Sequence, residues 1–313
     1  MCAASLRKGN FSQFILNIYN HQSMSLKESR TFSFLTIFII YVLAFLVGAV
    51  VYRTIPDGGC HYLWRFFAAD VAATVFVWIF GLVFKNVSVY DPYWSVAPPV
   101  MFTAWALMSG SFTSATLLLL TAVWYWGIRL TGNWAFTFKN LNAEDWRYSQ
   151  YRDNCKPAVF QIINFFGLNM MPTMVVFGAM IPGFFVIDST SPASFPTVIA
   201  FLICIAAPTI QWVADMQSHR FRRLNPGKVC NAGLWKHGRH PNYFGEILFW
   251  WGILFMYVNV TVAQGSALQG WCLLGAVLMT CLFCFISVPL MEKRQLQRKP
   301  DYAEYKKSTR MFI

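Results

Sequence analysis

The sequence predicts an all-α, polytopic transmembrane helix bundle of about 7–8 spans, and three observations carry that expectation. Hydrophobic residues make up 57% of the 313 positions, and charged residues only 12%, where soluble domains average about 25% charged. Mean hydropathy is +0.45. Apolar windows of the length a bilayer demands, about 20 residues, recur along the chain.

The first window, 32–52, follows an N-terminal extension at 1–31. It is too long for the apolar region of a signal peptide and lacks a small-residue cleavage site, so it reads as an uncleaved anchor. Window 66–84 is interrupted only by Asp70, which lies a few residues inside it. A near-interface residue that snorkels or hydrogen-bonds a neighbour is favoured there over contact with a substrate or with Arg129. Stretch 92–128 has no charge and is too long for one helix; Ser109, Gly110 and Ser111 divide it into two spans. Stretch 158–187 is too long for one straight span and too short for two, and Pro172 and Pro182 suggest a kinked helix with a dipping segment. Counted as one crossing it makes the total eight, with seven the alternative. Windows 193–214, 241–263 and 266–290 complete the set.

Basic residues gather in alternate loops. Arg7, Lys8, Lys27 and Arg30 precede the first span; Lys139, Arg147, Arg152 and Lys156 follow Arg129. More lie in loop 215–239 and in the tail after Met291. Eight crossings bring every one of these segments to a single membrane face. The net charge of +12 is therefore a topology signal, and no nucleic-acid partner is expected. An integral membrane location follows, with the endoplasmic reticulum favoured; the acid-free first 27 residues leave a mitochondrial membrane as the alternative. No internal repeat is present, and 32–313 reads as one membrane-embedded domain. Cys204, Cys272, Cys281 and Cys284 sit in apolar spans and read as small hydrophobes. His21, His61, His219, His237 and His240 show no ligand spacing, so no metal is expected.

The stretch 231–252, NAGLWKHGRHPNYFGEILFWWG, sets a polar cluster against an apolar helix. Arg239, His240, Asn242, Tyr243 and Glu246 fall within eight residues. On a helix begun near Pro241, Asn242 and Glu246 are i and i+4 and share one face. An ionisable group in hydrocarbon costs about 2.5–3.5 kcal/mol even on the lenient insertion scale, so Glu246 is expected to face a cavity or a partner.

The run GLWKHGRHPNYFGEILFWWG, with ADMQSHRFR before it and PLMEKR and YAEYKK after it, resembles the steroid 5α-reductase C-terminal-domain family. The similarity extends upstream through VYDPYWSVAPP, WGIRL and DWRYSQYRD, and is greatest to the branch of that family without an assigned function. The resemblance implies a helical membrane oxidoreductase that binds NADPH and passes hydride to an electron-poor C=C of a lipid held within the membrane. It makes Asp215 and Arg222 a D-x6-R element that contacts the cofactor, and Asn242 and Glu246 an N-x3-E element at its nicotinamide end. With Arg239, His240 and Tyr243 of the same motif, these form the expected cofactor-binding set. An amide suits a carboxamide and guanidinium groups suit phosphates.

One departure bears on the substrate. The His-Tyr-x-His-Arg element of steroid reductases is missing; its Arg matches Arg129, which puts Trp126 where the Tyr would be and Tyr125 beside it. Asp91 stands near where the catalytic Glu falls. Asp91 and Tyr125 are thus the expected catalytic pair, with a turn or helix N-cap the structural alternative for Asp91. Two other function classes stay open. RHPNY also resembles a motif of membrane isoprenylcysteine methyltransferases, with Glu292 as the acidic tail element and S-adenosylmethionine as cofactor. A non-catalytic membrane subunit could keep the same fold.

Overall fold

A computed structural model describes residues 27–56 and 61–313. Most of the expected extension, including Arg7, Lys8 and His21, lies outside these residues. The described chain is helical, with no strand. Six helical runs are long and apolar enough to cross a membrane: Arg30–Thr54, Tyr62–Phe84, Pro157–Asp188, Phe195–Leu224, Pro241–Ala263 and Gly270–Arg298. These make the chain a multi-pass membrane protein by length and composition. The charge-free stretch 92–128 divides as expected, into helices Tyr93–Ser109 and Ser114–Thr137. Its break falls at Gly110, whose φ of 67° is a left-handed value that a side chain would oppose.

Contacts gather into two compact units. The first comprises the described residues up to Tyr93 and Thr137–Met170, the second Trp94–Phe136 and Met171–Ile313. In the first unit, α1 (Arg30–Thr54) packs on α2 (Tyr62–Phe84). Gly48 permits the approach, because a Cβ there would lie 3.1 Å from the Ala69 carbonyl oxygen. Arg65 covers the Tyr52 ring at 4.1 Å and donates to the Tyr52 carbonyl at 2.9 Å. Asp70 accepts a 2.8 Å hydrogen bond from the Tyr93 hydroxyl, so the one charge inside window 66–84 has a hydrogen-bonding neighbour.

Two loops of the first unit are stitched together. Asn86 Nδ2 donates to the Leu141 carbonyl at 2.6 Å, Glu144 Oε1 accepts from the Val87 amide at 2.8 Å, and Ser88 Oγ accepts from the Asp145 amide at 2.9 Å.

After the short α5 (Trp146–Asn154), the ambiguous stretch 158–187 lies in one continuous helical run, Pro157–Asp188, which opens with α6 (Pro157–Ile162) and is widened to π-helix over Ile163–Met170. Pro172 has no amide to give the carbonyl four residues back, and a π segment just before it is one way to absorb that loss. Within the π segment Asn169 Nδ2 bonds the Asn164 carbonyl at 2.8 Å.

In the second unit, α3 (Tyr93–Ser109) and α4 (Ser114–Thr137) approach closely: a Cβ on Gly127 would sit 2.7 Å from the Ser95 carbonyl oxygen. The remaining apolar helices are α7 (Met171–Asp188), α8 (Phe195–Leu224), α9 (Pro241–Ala263) and α10 (Leu273–Cys281), followed by α11 (Val288–Arg298) and α12 (Tyr302–Ser308). The most extensive pairing is α8 on α9, and it positions the candidate site.

Candidate functional site

Small residues allow α8 and α9 to meet backbone to backbone, as is usual where helices associate without a hydrophobic driving force. A Cβ on Gly245 would lie 2.6 Å from the Ala207 carbonyl oxygen, and one on Gly252 would lie 2.5 Å from Cys204 Sγ. Helix α9 begins at Pro241, whose missing amide costs nothing at a first helical position. From there Asn242 and Glu246 share a face, and Gln211 and Asp215 of α8 repeat the same i, i+4 spacing opposite them.

The two pairs mesh into a ladder. Glu246, only 3% exposed, accepts from Gln211 Nε2 at 2.7 Å and from Trp250 Nε1 at 2.9 Å. Trp126 Nε1 of α4 reaches both of its oxygens, at 3.1 and 3.0 Å. One turn along α4, Arg129 donates to Gln211 Oε1 at 2.7 Å and pairs with Asp215. Asn242 Nδ2 leans on Asp215 Oδ1 at 3.4 Å. Among the described residues Arg129 Nε is buried with no hydrogen-bond partner. The Trp126 ring stacks on Phe249, 5.1 Å between centroids and 9° from parallel, which fixes the indole that serves Glu246. Glu246 thus faces partners rather than lipid.

Arg239 and His240 belong to a second cluster. Glu292 Oε1 lies 2.7 Å from Arg239 Nε and 3.2 Å from His240 Nε2, while Lys306 Nζ holds Oε2 at 2.7 Å. Burial lowers the His240 pKa from its ordinary value, with Glu292 opposing the shift. The chain after α12 runs alongside: the Arg239 amide donates to the Arg310 carbonyl at 2.9 Å and the His240 amide to the Met311 carbonyl at 3.0 Å. Gly238 makes room for it, since a Cβ there would meet the Ile313 nitrogen at 2.8 Å. Tyr243 stacks on His240, 6° from parallel. A cavity of about 510 Å³ opens beside Arg239 and Glu292; Asn242, Tyr243 and Glu246 are not in its lining.

Arg222 is exposed on the last turns of α8, with Nη2 2.9 Å from His219 Nδ1. The two expected catalytic residues fall in different units. Tyr125 belongs to α4 and shares a 2.9 Å hydroxyl contact with Thr209 of α8. Asp91 accepts a hydrogen bond from Tyr148. Burial pushes the Asp91 pKa up to about 6, with Arg147 and the Tyr148 hydrogen bond pulling against it.

Gln211, the Trp126 donor and Tyr148 were not expected. A polar residue four positions before Asp215 inside an apolar run is the signal that would have found Gln211.

A family described as a protein of unknown function (DUF1295) matches residues 77–309. An uncharacterized protein of Schizosaccharomyces pombe is 22% identical over 277 residues, which is 80% of this chain and 78% of the relative. No solved structure matches the chain.

Proposed function

The chain belongs to the family described as a protein of unknown function (DUF1295), and from that premise we propose that it is an NADPH-dependent membrane oxidoreductase reducing a C=C bond of a sterol-, enone- or polyprenoid-like lipid. One observation carries the reading. The two elements expected to share a cofactor, D-x6-R on α8 and N-x3-E on α9, meet at Asp215 and Asn242.

The donor set suits the cofactor. Asn242 would hold the carboxamide and the exposed Arg222 guanidinium a phosphate. Bound NADPH would supply hydride, and the protein's part is orientation and exclusion of water. Glu246 has its acceptor sites taken by Gln211 and two indoles, so its part is positioning: it holds Trp126 and Gln211, and through Gln211 the Arg129 guanidinium. Tyr125 Oη, on the same helix as Trp126 and Arg129, is the proposed proton donor. The resemblance to steroid 5α-reductases, an eight-crossing topology in which α3 and α4 also span, basic loops on the cytoplasmic side and an endoplasmic-reticulum location all belong to this reading.

The test is NADPH titration of the detergent-purified chain beside single-turnover oxidation with a panel of lipid enones. Asn242→Ala should weaken binding at least about tenfold, the loss of one good polar contact. Tyr125→Phe should leave affinity unchanged and lower turnover. Binding of S-adenosylmethionine without NADPH would instead favour a methyltransferase. That second reading has its own observation, since Arg239, His240 and Glu292, which the methyltransferase resemblance singles out, come together. Binding of neither would leave a non-catalytic subunit.

A further inference from the structure

The cavity of about 510 Å³ is lined by one long face of α11, a volume within the range of ligand sites, about 300–1,000 Å³. Val288, Glu292 and Leu296 form one stripe of that face, and Pro289, Lys293 and Gln297 the next. Its character changes along its length. At the start of α11 the lining is Val288 and Pro289, one turn beyond Phe285 and Ile286, which are 75% and 50% exposed on the last apolar run. That end abuts lipid-facing surface. One turn later the lining is Glu292 and Lys293, joined by Arg239 and Lys306 from outside the helix, and Leu296 and Gln297 lie a turn beyond.

The charge there is unbalanced. Glu292 is the one acid against three cations, and it already holds Arg239 and Lys306. Among the described residues Lys293 makes no ion pair and is exposed. An apolar start beside that exposed apolar surface and a cationic cluster about 7 Å away along the helix suit a molecule with an anionic head and a hydrocarbon tail. A nucleotide has no tail to cover Val288, Leu296 and Met311.

We propose that this cavity binds a phospholipid of net negative charge, headgroup at Lys293 and Lys306 and acyl chain along Val288 and Pro289. The site is separate from the Asp215–Asn242 junction and does not depend on the reductase reading. Basic residues at the membrane surface each attract anionic lipid by about 1 kcal/mol, enough to select phosphatidylserine over phosphatidylcholine by a factor that adduct counting can resolve.

The experiment is native mass spectrometry of the full chain, delipidated in mild detergent and titrated with dioleoyl phosphatidylserine or dioleoyl phosphatidylcholine. The wild type should retain phosphatidylserine preferentially, and millimolar inorganic phosphate should fail to displace it. Lys293→Glu should weaken phosphatidylserine about tenfold and leave phosphatidylcholine unchanged; Leu296→Trp, which fills the part of the cavity beyond Lys293, should weaken both. Equal phosphatidylserine retention by wild type and Lys293→Glu overturns the proposal, as does displacement by inorganic phosphate. Displacement by NADPH or S-adenosylmethionine would also overturn it and give the cavity to a nucleotide, whereas a lipid site that persists in a chain unable to bind NADPH would leave it standing without the reductase.

Discussion

Glu246 and Glu292 are buried carboxylates of the same compact unit, 3% and 4% exposed, and they are held in opposite ways. Neutral donors satisfy Glu246: two indoles and an amide, with the Arg129 charge one residue removed through Gln211. Cations satisfy Glu292 directly. The difference teaches what each centre is built for. A ring of opposite charge makes a junction between segments far apart in sequence, here α9, α11 and α12. A ring of dipoles leaves the carboxylate's charge in place and lets Trp126, Gln211 and Trp250 be fixed by it, which is how a framework behind a binding site is held.

Removing Glu292 should have the largest effect. Glu292→Ala strands the buried Arg239, and breaking a buried pair in this way costs about 3–5 kcal/mol; a large drop in melting temperature in detergent is expected, and a drop no larger than that of Glu246→Gln would erase the contrast. Glu246→Gln comes next, at about 1.5–3 kcal/mol, because the new amide turns a donor toward donors that need an acceptor. Its distinguishing sign is altered Trp fluorescence, since two indoles lose their shared partner. Gly245→Ala should cost about 1–3 kcal/mol by overpacking. The Ala207 carbonyl cannot yield without moving α8, so the same melts should show it, and a neutral outcome would mean that the helices are not pressed together there.

Asp91, in the other unit, extends the comparison to a carboxyl whose burial outweighs its partners. Its folded pKa of about 6 stands above its ordinary 3.8, so between those values the native state holds more protons than the unfolded chain. Stability should therefore rise as pH falls from about 6 toward 4 and be lost as pH rises through 6, by at most about 1.4 kcal/mol per pH unit. Thermal melts of wild type and Asp91→Asn across that interval check it; parallel slopes would assign the pH dependence elsewhere.

The helical membrane character was legible because hydrophobic windows of bilayer length need no tertiary information. So was the start of α9, since Pro241 can open a helix but not continue one. The partners of Glu246 were not. Periodicity puts Asn242 and Glu246 on one face without saying that Gln211 and Trp126 face them, and the fit depends on Gly245 and Gly252 letting the helices close. The diversion of Arg239 and His240 to Glu292 was equally hidden, because about 50 residues separate the partners. The hydrogen bond from Tyr148 to Asp91 was hidden for the same reason: a joint between a turn and a helix 57 residues later leaves no periodic trace.

The bonds from Arg239 to the chain beyond α12 also set a schedule for synthesis. Its guanidinium rests on the Thr309 carbonyl, 70 residues later in the chain. At about 5–20 residues per second the ribosome takes roughly 4–14 s to make that distance. For that interval the opening turn of α9 has neither its carbonyl partners nor Glu292 in full, although the hydrophobic part of the helix is already available for insertion. A nascent chain halted before Thr309 should therefore be inserted yet incomplete at this one point, with Arg239 open to whatever anion the translation machinery or the membrane surface presents.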